Sequence, residues 1–491
     1  MNEYVKKVSE QTGKDLNDTL AQMKKIKKLF GITFKEYYNN EMFLMPAGKL
    51  EKEALKLQMK KEKRKETFDN AVKNSGFTKE HIIDEIKRIN ARGIKTININ
   101  YYDKFRLYEL NDEELDKMLV LLNERDKLAE TIKNDIKALD GGEKSYDDII
   151  PKIETFKAML ANLMTPEFSQ RLLNIYRKGR DDSDDIDVND ILIDMEATRL
   201  LLGFSFSEYM AFHFDSKNLL EKRAYMPNKE RIAVLRQYND EIGCDLLDNK
   251  AECYKILKKQ FGRKQVYIGG KENLKDFKRF CRFRKCFVKK ALAKSMGKGV
   301  EPIYIDRGTD LDELFHRLLD ESGSFVAEEM IKQHESMKVF NPSSVNTVRI
   351  ETFFDGDSVE LVDAFIRFGQ TGAFVDNAGA GGIFVSVDPE TGTLLGHGFD
   401  ELGKIYETHP QSGLRFRGHE LNDWDKAIEL AKSIGNKFSG VSFIGWDVAY
   451  TESGKWVVVE GNAKPQIICN QTSQGRGLKQ EFLKKTKYSE K

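Results

Sequence analysis

The feature that most constrains the fold is a change in residue usage about halfway along the chain. Residues 1–225 are rich in Lys, Glu, Asp and Leu, and segments 50–73 and 112–139 carry apolar residues at helical spacing. After about residue 260 glycine becomes frequent, and short β-rich runs alternate with helical patterns such as 310–321 and 423–437. We therefore expect an all-helical N-terminal half followed by an α+β half with a largely antiparallel sheet.

Length and composition narrow the class of protein. A chain of 491 residues is too long for one core and predicts two or three domains. The 80 basic residues balance the 79 acidic ones, so overall charge gives no argument for nucleic acid or membrane binding. The five cysteines contain no C-x-x-C pair, which favours a reducing compartment. Without a signal-peptide pattern or an apolar run of membrane length, the sequence predicts a cytoplasmic protein.

A degenerate repeat runs through the helical half. The segments 28–45, 90–110 and 199–220 each contain a helix end, a glycine and then an aromatic or apolar cluster. One interpretation is a set of helical hairpins that bind a partner protein or a second copy of the chain. The other, which we favour, is helix–turn–helix packing around a core. The residues that suit the caps are Gly31, Gly93 and Gly203 at helix C-termini and Thr33 and Ser205 at helix N-termini.

The stretch WDVAYTESGKWVVVEGN (446–462) predicts a β-hairpin, because two β-rich runs flank a Ser-Gly turn. With a two-residue loop at 453–454, Asp447 faces Glu460, and Asn462 lies on the same face. Opposed like charges destabilise a bare hairpin, whereas carboxylate and amide oxygens are ligands for Mg²⁺. We take these three residues as metal ligands, the alternative being an exposed face with incidental acids. A one-residue insertion in the turn would then separate the two carboxylates.

Two earlier stretches carry residues suited to a nucleotide. CFVKKALAKSMGKGV (286–300) brings lysines on a β-run, followed by the loop Gly297-Lys298-Gly299, whose glycines let backbone N–H groups approach phosphate. It has no G-K-[ST] and is not a P-loop. In FVAEEMIKQHE (325–335) a strand end runs into a linker that can offer backbone groups to a base. Glu335 could accept from ribose hydroxyls. The alternative for this second stretch is an ordinary strand exit with surface glutamates.

In this order the three elements resemble the ATP-grasp superfamily, in which a lysine strand and glycine loop cover the phosphates, a linker holds adenine and a late D…E-x-N set holds Mg²⁺. The resemblance implies an ATP-grasp fold preceded by a helical domain, with domains 1–225, 226–340 and 341–491. It narrows to the sugar-transfer associated group, in colinear order over about 240–480. The motifs that narrow it are LLDNK (246–250), SVNTVRI (344–350), DAFIRFG (363–369), DNAGAGGIFVSVDPETG (376–392), HPQSGLRFRGHELNDW (409–424) and FIGWDVAYTESGKWVVVEGN (443–462).

The resemblance also implies roles for particular residues. The family's lysine motif usually ends in Lys-Pro, but here it reads Lys289-Lys290-Ala291, so Lys289 stays open beside Lys290. Arg349 and Arg367 could instead be structural ion pairs, and the glycines after Asp376 a tight turn without a ligand. The implied sets are Asp447, Glu460 and Asn462 for Mg²⁺; Lys250, Lys290, Gly297, Gly299, Glu328, Glu329, Met330 and Glu335 for ATP; Arg349 and Arg367 for catalysis; and Asp376, Asn377, Gly381 and Gly382 for the acceptor substrate.

The chain departs from the family pattern in two places. Many ATP-grasp enzymes place an arginine two positions before the metal aspartate, but here that position is Gly445, so another arginine must serve. Many also begin with a Rossmann-like domain, whereas residues 1–225 read as helical. His409, which precedes Pro410, fits a packed structural histidine better than a catalytic base.

The resemblance implies an ATP-dependent ligase. A substrate carboxylate would attack the γ-phosphate to give an acylphosphate and ADP, and an amine or related nucleophile would displace phosphate. Mg²⁺ and arginines would neutralise charge at the transferring group. The glycan association of the group suggests polysaccharide biosynthesis, with a sugar acid, an amino acid or a glycan precursor as substrate. The alternatives are a kinase of the same fold that phosphorylates a small-molecule hydroxyl, and a non-catalytic nucleotide-binding scaffold.

Overall fold

A computed structural model describes residues 3–30, 32–45, 50, 54, 57–58, 62, 65, 69, 77–92, 105, 107–180, 188–292, 299–370, 372, 374, 376 and 381–487. The predicted residues Gly31, Gly93, Gly297, Lys298 and Asn377 lie outside them. The chain divides into two compact units, one of Met1–Glu124 with Leu163–Phe168 and one of Arg125–Asn162 with Ser169–Lys491. The three-domain division expected from the sequence stays a prediction.

The N-terminal region is helical, as predicted, because apolar residues recur three or four positions apart. On the long helix Asp112–Asp140, Leu115, Leu119 and Leu122 are all buried and share one face. The helices whose bounds the described residues define in this region are Glu3–Thr12, Leu16–Phe30, Phe34–Asn39, Lys79–Asn90, Asp112–Asp140, Ile150–Leu163, Pro166–Gly179, Asn189–Leu202, Phe206–Ala211 and Leu219–Arg223.

Two copies of the predicted repeat share one local structure. Thr33 and Ser205 each form a capping box, with Glu36 and Glu208 respectively, at the start of a six-residue helix. Each helix is followed by a residue in the left-handed region, at φ 50° and 52°, and then by a single 3₁₀ turn. Gly203 caps the preceding helix at φ 82°, as expected. Both N-cap predictions are confirmed, while most of the third copy lies outside the described residues.

The first sheet has four antiparallel strands in the order β1-β4-β2-β3. Helices Leu274–Cys281 and Leu311–Ser322 supply apolar side chains to one core with this sheet. Phe277, Phe287 and Phe325 are fully buried there, which explains the aromatic residues of this segment. The strands are β1 (Gln265–Ile268), β2 (Cys286–Ala291), β3 (Val300–Tyr304) and β4 (Phe325–Glu328).

The second sheet has seven antiparallel strands in the order β11-β10-β5-β6-β7-β8-β9. Its apolar face packs against helices Glu241–Asp248, Lys250–Phe261 and Trp424–Ile434. Its strands are β5 (Val348–Phe354), β6 (Val359–Phe368), β7 (Ile383–Ser386), β8 (Gly398–Phe399), β9 (Ile405–Tyr406), β10 (Phe443–Tyr450) and β11 (Trp456–Asn462). The predicted α+β class with largely antiparallel sheets is therefore confirmed.

Four further helices belong to the described C-terminal region. They are helices Asn228–Tyr238, Glu335–Lys338, Ile468–Gln474 and Lys479–Lys485. In the described part of the chain, no helix combines the length and the apolar character needed to cross a bilayer.

Candidate active site

The β10–β11 hairpin carries the predicted metal ligands in the expected pairing. Asp447 is the partner of Glu460, and Gly445 is the partner of Asn462. Because alternate residues of a strand share a face, Asp447, Glu460 and Asn462 lie on one side of the sheet. The predicted pairing of Asp447 with Glu460 is confirmed, but the turn and the strand register that produce it differ from those predicted.

The predicted two-residue turn is wrong. Tyr450 pairs with Trp456, and the backbone N–H of Thr451 donates to the carbonyl of Lys455 at 2.9 Å, which leaves a loop of three residues, 452–454. Gly454 adopts a φ of 69°, which suits glycine at the end of such a loop. This loop shifts the register by one residue near the turn. A β-bulge at Val459 shifts it back before Glu460.

The hairpin tip also holds the linker that follows β4. Gln333 forms an isolated antiparallel bridge with Thr451. The backbone N–H of His334 donates to the Tyr450 carbonyl at 2.9 Å, and the N–H of Glu452 donates to the Lys332 carbonyl at 2.7 Å. The linker between the two sheets is therefore paired with the hairpin that carries the acids.

Asp447 lies at the centre of a buried network of charges. Its side chain is 1% exposed, Arg349 donates from Nη2 to Oδ2 at 3.1 Å, and Arg367 Nη2 lies 2.8 Å from the same oxygen. Burial alone would raise the pKa of Asp447, but the two guanidinium groups outweigh it and hold the pKa well below its ordinary value. Both arginines thus make the ion pairs that the sequence left open. Their proposed work on phosphate stays a prediction.

The network continues to the predicted acceptor loop. Arg367 donates from Nη2 to Thr347 Oγ1 at 2.7 Å, and the backbone N–H of Thr347 donates to Asp376 Oδ2 at 2.7 Å. Asp376 Oδ2 is also 3.8 Å from Arg367 Nε. Asp376 is therefore a buried partner of the arginine network. Farther along the loop, Gly381 has a φ of 88° and is exposed, whereas Gly382 is buried.

Gly445 stands at the position where many ATP-grasp enzymes carry an arginine, and it is closely packed against its neighbours. A Cβ at this position would lie 2.9 Å from Cδ of Arg349 and 2.6 Å from Cβ of Pro465. Any larger residue would therefore displace both neighbours. The missing side chain leaves room for Arg349, which comes from the neighbouring strand β5 and reaches Asp447 across this space.

A cavity of about 480 Å³ lies at the edge of the hairpin. Five predicted residues line it together: Lys250, Lys290, Glu328, Glu460 and Asn462. Burial, and after it the charge of Asp447, raise the pKa of Glu460. Asn462 donates from Nδ2 to the Gly445 carbonyl at 3.4 Å. Glu460 and Asn462 in the cavity wall, with Asp447 paired to Glu460 on the neighbouring strand, are oxygen donors that fit Mg²⁺, and phosphate and water oxygens would complete the coordination.

Lys290 and Lys289 point to different surroundings. Lys290 Nζ lies 2.7 Å from Glu328 Oε1 in the cavity wall, whereas Lys289 Nζ is 2.6 Å from Glu301 Oε1. Arg263 Nη2 also lies 2.8 Å from Glu328 Oε1. Burial opposes ionisation of Glu328, but these two cations lower its pKa. Of the two lysines, the structure brings Lys290 to the cavity.

The remaining predicted nucleotide residues lie away from the cavity wall. Glu329 bonds Arg284 and accepts from the backbone N–H of Lys264 at 2.6 Å. Glu335 begins a short helix, and its side chain is 77% exposed and lies 2.6 Å from Lys338 Nζ. Met330 is half-buried in the linker, and Gly299 follows directly after residues outside the described ones. The structure does not bring these residues to the cavity.

Several residues of the site were missed from the sequence. Arg263 holds Glu328 from 65 positions away, and Gln265, Asp248 and Lys464 line the cavity. Thr347 could have been found, because it lies directly before β5 and two positions before Arg349, a spacing that places both side chains on one side of an extended chain. The others carry no local signal. His409, in contrast, is fully buried beside the Gly369 carbonyl, as expected for a packed structural histidine.

A four-stranded and a seven-stranded antiparallel sheet, with a lysine strand and an acidic hairpin at one cavity, define a protein of the ATP-grasp class. The chain belongs to the sugar-transfer associated ATP-grasp family, whose model matches residues 229–488. The resemblance inferred from the motifs is thus confirmed. No curated protein sequence matches the chain.

Solved structures similar to the chain include three ligases. The VanG D-Ala:D-Ser ligase from Enterococcus faecalis is 18% identical, with 46% of this chain and 55% of that one covered and a TM-score of 0.31. The D-alanine–D-alanine ligase from Bacillus anthracis complexed with ATP is 13% identical, with 51% and 66% covered and a TM-score of 0.31. The L-amino acid ligase from Bacillus licheniformis is 14% identical, with 47% and 43% covered and a TM-score of 0.29. The chain thus spans about half of the VanG ligase.

Proposed function

We propose that the protein is an ATP-dependent ligase that joins a carboxylate to an amine, or to a related nucleophile, through an acylphosphate. One observation carries the proposal: the acidic hairpin and Lys290 meet at a single cavity of about 480 Å³. That volume is within the range of small-molecule and cofactor sites. Membership of the ATP-grasp family supports ATP as the ligand of this cavity.

The charges of the cavity suit a nucleoside triphosphate. Lys250 and Lys290 would meet the phosphates, and Asp447, Glu460 and Asn462 would hold Mg²⁺. Magnesium, when bound, would neutralise charge on the phosphate oxygens. Residues beyond the described ones, Gly297 among them, would contribute backbone N–H groups to the phosphates.

The arginine network supports transfer to a carboxylate. A carboxylate oxygen of the substrate would bond to the γ-phosphorus while the bond between that phosphorus and the β,γ-bridging oxygen breaks, which releases ADP. The amine nitrogen would then attack the acyl carbon, phosphate would leave, and the nitrogen would lose its proton to solvent. Arg349 and Arg367 would shift part of their contact from Asp447 to the developing charge, where guanidinium groups bind well.

The acceptor substrate is proposed to lie beside Asp376, Asn377, Gly381 and Gly382. These residues follow β6, the strand that carries Arg367. A sugar acid, an amino acid or a glycan precursor is the proposed class, which would place the protein in polysaccharide biosynthesis. Cytoplasmic location and binding of a second copy or a partner protein through the helical half remain predictions.

The test measures ADP release from ATP and Mg²⁺ with a panel of sugar acids and amino acids, each with and without amines. We expect release that needs both substrates and a product containing an amide bond. Glu460→Gln should abolish it, whereas Glu452→Gln, the same change at the exposed tip of the same hairpin, should not. A stable phosphorylated product without an amine requirement would instead identify a kinase. Full biological activity of Glu460→Gln would identify a scaffold.

A further inference from the structure

Gln265 lines the cavity, and only one of the two polar atoms of its side-chain amide has a hydrogen-bond partner among the described residues. It opens β1, its backbone N–H donates to Tyr254 Oη at 3.2 Å, and its Nε2 donates to the Lys250 carbonyl at 3.4 Å. Its Oε1 is buried and has no hydrogen-bond partner in the part of the chain that the structure describes. Because Nε2 is engaged by a carbonyl, the amide orientation is set and the unpaired atom is an acceptor.

The surroundings of Gln265 suit a planar base. The helix that holds its amide, Lys250–Phe261, also contributes Cys253 and Phe261 to the cavity, and Val459 lines it from β11. The charged groups Lys290 and Glu460 belong to the same cavity. One cavity thus combines apolar surface for a ring with charges for phosphate.

Gln265 also lies beside the start of the linker. It is the direct strand partner of Glu328, the last residue of β4. The next linker residue, Glu329, donates its backbone N–H to the Lys264 carbonyl at 3.0 Å. A nucleotide base bound beside the start of the linker would therefore be close to Gln265.

We propose that Gln265 selects the base of the nucleotide, with Oε1 accepting a hydrogen bond from the exocyclic amino group of adenine. This inference rests on the proposed ATP-dependent function. A buried acceptor that lacks a donor is costly, and adenine supplies one at position 6. Hypoxanthine and guanine carry a carbonyl there, which would set one acceptor against another and leave both unpaired.

The experiment compares three triphosphates on the full chain: ATP, inosine triphosphate, and purine riboside triphosphate, which has only hydrogen at position 6. Dissociation constants are measured with Mg²⁺ by displacement of a fluorescent ADP analogue. The wild type should bind ATP about tenfold more tightly than either competitor, the effect of one buried hydrogen bond. Equal binding of ATP and the purine analogue by the wild type would overturn the inference without any variant.

A variant localises the effect. Gln265→Met keeps the length of the side chain and removes the acceptor, so it should weaken ATP binding about tenfold and bring the ATP-to-inosine ratio close to one. Gln170→Met, the same change on an exposed helix position, should keep the wild-type ratio. An unchanged ratio in a folded Gln265→Met protein would overturn the assignment. A wild type that binds none of the triphosphates would overturn the proposed function and this inference together.

Discussion

A glycine inserted between Ser453 and Gly454 lengthens the loop of the β10–β11 hairpin from three residues to four. If the turn set the register, the insertion would move Glu460 away from Asp447 and abolish turnover. The structure predicts the opposite outcome. The register on which the acids depend is held by the bulge at Val459 and by the buried residues of β11.

The relevant free energies can be compared directly. Lengthening the loop costs about 0.3 kcal/mol of closure entropy. A one-residue slip of β11 would instead move Trp456 and Val458 out of their core positions, and the Trp456 indole would lose its hydrogen bond to the Asp423 carbonyl at 3.0 Å. That loss amounts to about 3–5 kcal/mol. The insertion should therefore lengthen the loop and leave the ladder unchanged.

The assay measures the melting temperature and the Mg²⁺-dependent release of ADP by the insertion variant. We expect a loss of stability below about 1 kcal/mol and turnover within twofold of the wild type. Glu460→Gln serves as the inactive reference, since it removes a ligand without touching the loop. A folded insertion variant as inactive as Glu460→Gln would refute the reasoning and show that the turn controls the register.

Three further predictions follow from buried groups. Lys290→Met should raise the KM for ATP at least tenfold, whereas Lys289→Met should leave it within twofold, because Lys290 belongs to the cavity wall and Lys289 pairs with Glu301. Gly445→Ala should lower stability by about 1–3 kcal/mol and reduce kcat, because the new methyl group would displace the side chain of Arg349. Glu351→Gln should stabilise the protein at alkaline pH. Its carboxyl group is 0% exposed and lacks a hydrogen-bond partner among the described residues, and burial raises its pKa from 4.5 to about 8.

The sign of the Glu351 effect follows from linkage. The raised pKa contributes stability that is fully present below pH 4.5 and is lost as pH rises to about 8, because the unfolded chain releases the proton first. The loss is about 1.4 kcal/mol per pH unit in that window. Unfolding at pH 5 and pH 9 should thus separate wild type and Glu351→Gln at the higher pH only. Equal pH dependence of the two proteins would contradict the assignment.

The predictions for the two lysine variants and for Gly445→Ala can also be contradicted by a single result each. Equal KM values for ATP in Lys289→Met and Lys290→Met would mean that the cavity is not the phosphate site. A Gly445→Ala protein with wild-type stability and kcat would mean that Arg349 does not need the space above this glycine.

Local patterns were sufficient for part of this structure. The helical half followed from apolar spacing such as that of Leu115, Leu119 and Leu122, and both helix N-caps followed from Thr33 and Ser205, whereas the capping boxes that they form were not predicted. The facing of Asp447 and Glu460 was also predicted, but through an incorrect turn. The bulge that restores this pairing occurs within a run of valines that has no local mark for it, so the sequence could not indicate it.

Contacts between segments far apart in the chain could not be predicted from local sequence patterns. Arg263 and Glu328 meet only because β1 and β4 become neighbours, and the choice between Lys289 and Lys290 depends on which face of β2 meets the cavity. Glu329 and Glu335 were grouped with Glu328 by position along the chain. In the structure their partners are Arg284 and Lys338, which lie elsewhere.

The bridge between Gln333 and Thr451 has a mechanical consequence. Backbone hydrogen bonds and the bridge at Lys332, Gln333 and His334 tie this part of the linker to the hairpin of the seven-stranded sheet. A rotation of the four-stranded sheet against the seven-stranded one that keeps these bonds would require backbone changes in the residues between Glu328 and Lys332. These residues adjoin Gln265, the strand partner of Glu328, so such a change would begin next to the proposed base site.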